Sequence, residues 1–123
     1  MNVPSVLIVE DDEWLAEQHS RVLTRAGYKT TIALHALAAI QAIDIVHPNV
    51  IILDILLTGS TAFALLHELQ SYGDTGDIPI ILCTNLASEL SIEDLKLYGV
   101  KQILDKTTMT PGDLILALKS VLL

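Results

Sequence analysis

Residues 49–54, NVIILD, and 78–84, IPIILCT, are apolar almost without a break. A strand with one wet face alternates apolar and polar side chains. A strand that is apolar at nearly every position is covered on both faces. Two such runs restrict the chain to a sheet lying between layers of helix, and sheets of that kind are built from parallel strands joined by crossovers.

The rest of the chain supplies the matching pieces. Residues 5–10, 28–33 and 101–105 are short and rich in β-branched or apolar residues, and read as three further strands. Residues 13–26 carry Leu15, Ala16, His19, Val22, Leu23 and Ala26 on one helical stripe, with Gly27 as the stop. Residues 36–46, 62–71, 92–98 and 114–122 are the other helices; Ser91 and Thr110-Pro111 mark two starts and Gly99 one end. Loops are expected at 58–61 and 73–77. Five βα units in succession predict one α/β domain over residues 1–123, a doubly wound five-stranded parallel sheet, (βα)5, in the flavodoxin-like order 2-1-3-4-5. A site in such a sheet forms beyond the carboxyl ends of the strands, between strands one and three.

Charge narrows the partners. Fifteen acids against seven bases give −8, the wrong sign for direct nucleic-acid or anionic-membrane binding. No run approaches a membrane span and no basic leader precedes an apolar stretch, so a cytoplasmic location is expected. The lone cysteine, Cys83, lies in an apolar run and reads as a buried thiol.

The carboxyl ends gather a chemical set. Strand one delivers Glu10, Asp11 and Asp12; strand three delivers Asp54; strand four delivers Thr84; strand five delivers Lys106. Two carboxylates about 4 Å apart repel by roughly 4 kcal/mol at an effective dielectric near 20. Such a group calls for a cation, and an all-oxygen donor set favours a hard one, Mg²⁺ or Mn²⁺, over Zn²⁺. Asp11 and Asp54 read as direct ligands and Glu10 as acting through water. A carboxylate nucleophile, a hard cation, an ammonium and a hydroxyl together describe phosphoryl transfer onto Asp54.

That order of residues, Glu10-Asp11-Asp12, then Asp54, then Thr84, then Lys106, resembles the receiver domains of bacterial two-component response regulators, over the whole chain. The resemblance implies a stand-alone phosphorelay module without turnover of a separate substrate. Asp54 takes a phosphoryl group from a sensor histidine kinase or phosphotransfer protein. It also implies Glu10, Asp11, Asp54 and the carbonyl of Leu56 around the metal. Thr84 and Lys106 meet the phosphoryl group, and the face formed by helix four, strand five and helix five switches toward a downstream protein.

Several positions depart from the family pattern. Ile103 stands where an aromatic switch residue is frequent, and Thr107 follows Lys106 where proline is usual. Asn85 follows Thr84 in place of a small residue. Leu56 and Leu86 occupy modulating positions, and two apolar side chains there imply slow loss of the phosphoryl group.

Other residues read as structural. Asp12 is also an N-cap. His19, His35, His47 and His67 lack metal spacing and are assigned structural or solvated roles, and Trp14 is expected to pack near the head of helix one, close to the acids. Helix five carries more apolar residues than one stripe needs, including Leu116, Val121 and Leu122, which raises a homodimer face. The alternative function is a receiver-like interaction module independent of phosphorylation. A dehalogenase-type phosphatase needs an acid where Leu56 stands, and no P-loop is present.

Overall fold

The computed structural model describes residues 3–54, 59–71, 77–85 and 87–122. Strands β1 (Ser5–Val9), β2 (Lys29–Ala33), β3 (Val50–Asp54), β4 (Ile80–Thr84) and β5 (Val100–Asp105) alternate with helices α1 (Glu13–Arg25), α2 (Ala36–Val46), α3 (Gly59–Ser71), α4 (Ile92–Leu95) and α5 (Pro111–Leu122). The strands are parallel and run β2-β1-β3-β4-β5, the expected doubly wound order. Ile8 pairs with Ile32 on one side and Ile52 on the other, and Leu53 pairs with Leu82. Between β4 and β5 the register slips at Ile80/Ile81, so that Val100 and Gln102 are successive partners and Lys101 is the extra residue.

Alternation along the strands divides the interior in two. Leu7, Val9, Ile51, Leu53, Ile80 and Leu82 face α2, α3 and α4 through Ala39, Ile43, Leu66, Leu69 and Leu95. Val6, Ile8, Val50, Ile52, Ile81 and Cys83 face α1 and α5 through Ala16, Leu23, Leu114, Ala117 and Leu118. Every residue of β3 and β4 is buried, which is what the unbroken apolar runs demanded. Burying a Leu or Ile side chain contributes about 1.5–3 kcal/mol, so these two strands hold the layers together.

The helix starts are chemically defined. Asp12 Oδ1 accepts from Leu15 N–H at 3.2 Å, and His35 Nδ1 accepts from Ala38 N–H at 3.1 Å. Thr110 and Asp113 form a reciprocal box ahead of α5, at 2.8 and 3.2 Å. Gly27 ends the α1 turn at φ +98°, a left-handed backbone that an L side chain resists.

Three expectations are corrected. Helix α3 begins at Gly59 rather than 62, because Gly59 and Ser60 serve as its first turn instead of a loop. The helix expected over 92–98 is one α-turn followed by a 3₁₀ turn, Lys96–Tyr98, tightened where Gly99 N–H donates to the Lys96 carbonyl at 3.0 Å. Ser91 precedes it without a side-chain cap. The apolar excess on α5 is smaller than its sequence implied: Ile115, Val121 and Leu122 pack partly against the α1–α5 core, and Leu116 is the large side chain left exposed. No helix among the described residues is long and apolar enough to cross a membrane.

Candidate functional site

Asp54 is the last residue of β3 and shares the parity of Val50 and Ile52, so its side chain turns toward α1 and α5. Glu10 follows β1 with the parity of Val6 and Ile8, and its N–H extends the ladder by donating to the Ala33 carbonyl at 3.0 Å. Both carboxylates are fully buried. Lys106 leaves the end of β5, anchored where its N–H donates to the Thr84 carbonyl at 2.9 Å. Its ammonium lies 2.9 Å from Asp54 Oδ1 and 3.5 Å from Glu10 Oε2. One lysine therefore serves two buried acids from neighbouring strands.

The loop that presents Lys106 is set without a proline. The Asp105 carboxylate accepts from Thr107 N–H at 2.9 Å and Thr107 Oγ1–H at 2.6 Å, and the Asp105 carbonyl accepts from Met109 N–H at 2.9 Å. Those bonds hold the Asp105 carboxyl below its usual range. Thr84 is buried at the end of β4, one residue beyond the Asp54–Cys83 pairing. Asn85 beside it is exposed, and Ile103 packs against the α2–α4 core. Leu56 and Leu86 lie outside the described residues.

Sequence reasoning misassigned His19. It sits one turn beyond Ala16 on the buried stripe of α1, and its Nε2–H donates to Asp54 Oδ2. Strand parity carried the missing signal: Asp54 follows Val50 and Ile52 toward α1, and the inward face of α1 reads Ala16, His19, Leu23. His35 caps α2 instead, and His67 meets Tyr98 edge to face.

The electrostatics follow from burial and pairing. Burial alone raises the Asp54 carboxyl, but the His19 hydrogen bond and the Lys106 ion pair outweigh it and hold the group ionised below the carboxylate range. Glu10 is pushed up to about 7, first by burial and then by the Asp54 charge, against a smaller lowering by Lys106. Lys106 is opposed by its own burial, yet its two carboxylate partners raise it overall. Burial, with Asp54 nearby, raises the Cys83 thiol far above its ordinary value.

This donor set suits a hard cation by its chemistry. All three acids are oxygen donors, Glu10 and Asp54 share a pocket short of positive charge, and Asp54 Oδ1 has no directed hydrogen bond despite the nearby ammonium. Among the described residues no three acids, histidines or cysteines converge closely enough to form a ready cage. Asp11 is exposed beside the other two acids. Beneath Trp14, a cavity of about 380 Å³ opens between α1 and the start of α5 and reaches Asp54 and Lys106 at its floor.

Comparisons with known proteins agree with this geometry. A family model described as the response regulator receiver domain matches residues 6–119. The phosphate regulon transcriptional regulatory protein PhoB of Pseudomonas aeruginosa is 31% identical over 121 residues, covering 96% of this chain and 51% of that protein. The transcriptional regulatory protein BaeR of Escherichia coli O6:H1 is 30% identical over 89 residues, 72% of this chain and 36% of BaeR. The chain thus spans between about a third and a half of the length of these curated relatives. The structure of the Vibrio cholerae chemotaxis protein CheY4 superposes with a TM-score of 0.82 at 25% identity, covering 98% of this chain and 99% of that one. The receiver domain of a signal transduction histidine kinase from Syntrophus aciditrophicus superposes at 0.79 with 27% identity, covering 98% and 90%.

Proposed function

The chain belongs to the response regulator receiver domain family of two-component signalling, and from that premise we propose that it accepts a phosphoryl group on Asp54. The observation that carries this reading is the pairing of two fully buried carboxylates, Asp54 and Glu10, with the single ammonium of Lys106 at the β1/β3 switch point. Asp54 is held ionised, so it is competent as a nucleophile without a general base.

The reaction balances simply. An Asp54 oxygen attacks phosphorus of a phosphohistidine, a new P–O bond forms, and the P–N bond breaks. The imidazole leaves with the bonding pair. Lys106 stays beside the carboxylate and offsets charge on the transferred group. Glu10, Asp11, Asp54 and the Leu56 carbonyl are the residues that would hold Mg²⁺ or Mn²⁺. A divalent ion there supplies charge neutralisation for the phosphoryl oxygens. Thr84 would donate its hydroxyl to the new group, drawing the end of β4 inward and biasing the α4–β5–α5 face toward a protein effector.

The donor is a sensor histidine kinase or phosphotransfer protein, the setting is the cytoplasm, and the chain turns over no separate substrate. Incubation with Mg²⁺ and acetyl phosphate, followed by intact mass, tests the proposal. A gain of one phosphoryl group that is lost in Asp54→Asn supports it, and no gain in either the unmodified chain or His19→Leu removes it. The contact of His19 with Asp54 favours one second reading, a phosphorylation-independent interaction module; partner binding unaffected by phosphodonor would select that.

A further inference from the structure

We propose that His19 is a gate on the phosphoacceptor: its imidazole caps Asp54 Oδ2 in the resting chain and leaves by turning into the adjacent cavity when the phosphoryl group arrives. The inference rests on the reading of Asp54 as acceptor and adds its control.

Three observations meet at this residue. First, the carboxylate is engaged on both oxygens, by Lys106 at Oδ1 and His19 at Oδ2, and the side chain is fully buried. A nucleophile needs an open lone pair aimed at phosphorus, and an N–H bound to that oxygen occupies the trajectory and lowers its electron density. A carboxylate oxygen accepts, so the His19 Nε2–H is the donor in this contact. Second, the two contacts differ in kind. Lys106 approaches from the strand edge that the transferred group must also meet, and its charge remains useful after transfer. His19 approaches from α1, and its bond to Oδ2 serves only the unmodified carboxylate.

Third, the ring has somewhere to go. His19 lines the cavity of about 380 Å³ with Trp14, Gln18, Met109 and Leu114 around it. Most buried side chains are locked by close packing, where rotation meets an occupied neighbour. Here a change of side-chain rotamer moves the imidazole from Asp54 into open volume without moving α1. Its polar nitrogens then reach water through the cavity mouth, where Trp14 is exposed.

The test uses the full chain with Mg²⁺ and acetyl phosphate, in which the donor's P–O bond breaks and acetate leaves with the bonding pair. Intact mass against time compares the unmodified protein with His19→Leu and His19→Gln, and Asp54→Asn reports the site. A hydrogen bond to a charged group, once removed, predicts roughly ten-fold faster phosphorylation in His19→Leu. His19→Gln, whose amide still donates, falls between the two. Equal or slower phosphorylation of a folded His19→Leu, with the unmodified protein active, overturns the gate and leaves the acceptor reading intact. Absence of phosphorylation in every variant overturns both, whereas phosphorylation of His19→Leu alone supports a gate that is closed at rest. A second readout needs no variant to fold. On addition of beryllofluoride and Mg²⁺ to the unmodified protein, the His19 ring ¹⁵N signals should shift from hydrogen-bonded to solvent-facing values. Unchanged ring signals with beryllofluoride bound, as seen from other site resonances, overturn the gate.

Discussion

Lys106 Nζ stands 2.9 Å from Asp54 Oδ1 and 3.5 Å from Glu10 Oε2, so one ammonium is shared by acids delivered by two different strands. Removing it strands both charges in a buried edge. Lys106→Met should destabilise the cation-free protein by about 2–3 kcal/mol, somewhat under the usual cost of breaking a buried pair because the lysine retains some exposure. Urea denaturation at neutral pH measures this, and an unchanged midpoint would contradict the shared pairing.

Glu10 gives the fold a pH dependence of unusual sign. Its folded value, about 7, lies above the ordinary carboxylate value, so its contribution is fully present below about pH 4.5 and is lost as pH rises through 7. Asp54 runs the other way: its lowered value makes a contribution that is present at neutral pH and fades only in acid. Between pH 4.5 and 7, without divalent cations, the Glu10 contribution to stability should fall by an amount on the order of 2–3 kcal/mol. Glu10→Gln should flatten that slope in a series of urea titrations, and a slope that survives the substitution would assign it elsewhere.

Trp14 is exposed at the mouth of the cavity whose floor holds Asp54 and Lys106. Its emission should change on titration with Mg²⁺ and return when a chelator is added. The double variant Asp11→Asn, Asp54→Asn should show little response at the same concentrations. A flat titration of the unmodified protein would separate Trp14 from any cation at the acids.

Cys83 sits at the centre of the α1–α5 core, fully buried, with its thiol pushed far from the reactive range. Thiol reagents should label it only at the rate of unfolding and at a stoichiometric endpoint in denaturant. Rapid labelling of the native chain would show an opening between β4 and α5.

The fold was legible because the strongest signals were unbroken. NVIILD and IPIILCT forced a covered parallel sheet, and the acids, Thr84 and Lys106 fell at its carboxyl edge as their places after strands required. What was missed depended on direction rather than position. His19 was already on the buried stripe of α1, yet its partner emerges only when the alternation Val50, Ile52, Asp54 is followed to the end of β3. The early start of α3 was hidden by Gly59, a residue equally at home in a loop and in a first turn. The smaller face on α5 reflects tertiary contact: Val121 and Leu122 curl against their own core, which no periodicity reveals.

The sheet separates two populations of side chains. Asp54 and Cys83 belong with α1 and α5, while Leu82 and, by the same alternation, Thr84 belong with α2, α3 and α4. Substitutions that retune how a phosphoryl group is admitted fall on one side of this wall. Those around Leu82 fall on the other. The two populations pack against different helices, so a substitution in one leaves the side-chain packing of the other in place. A change at His19 therefore touches Asp54 without disturbing the packing around Leu82.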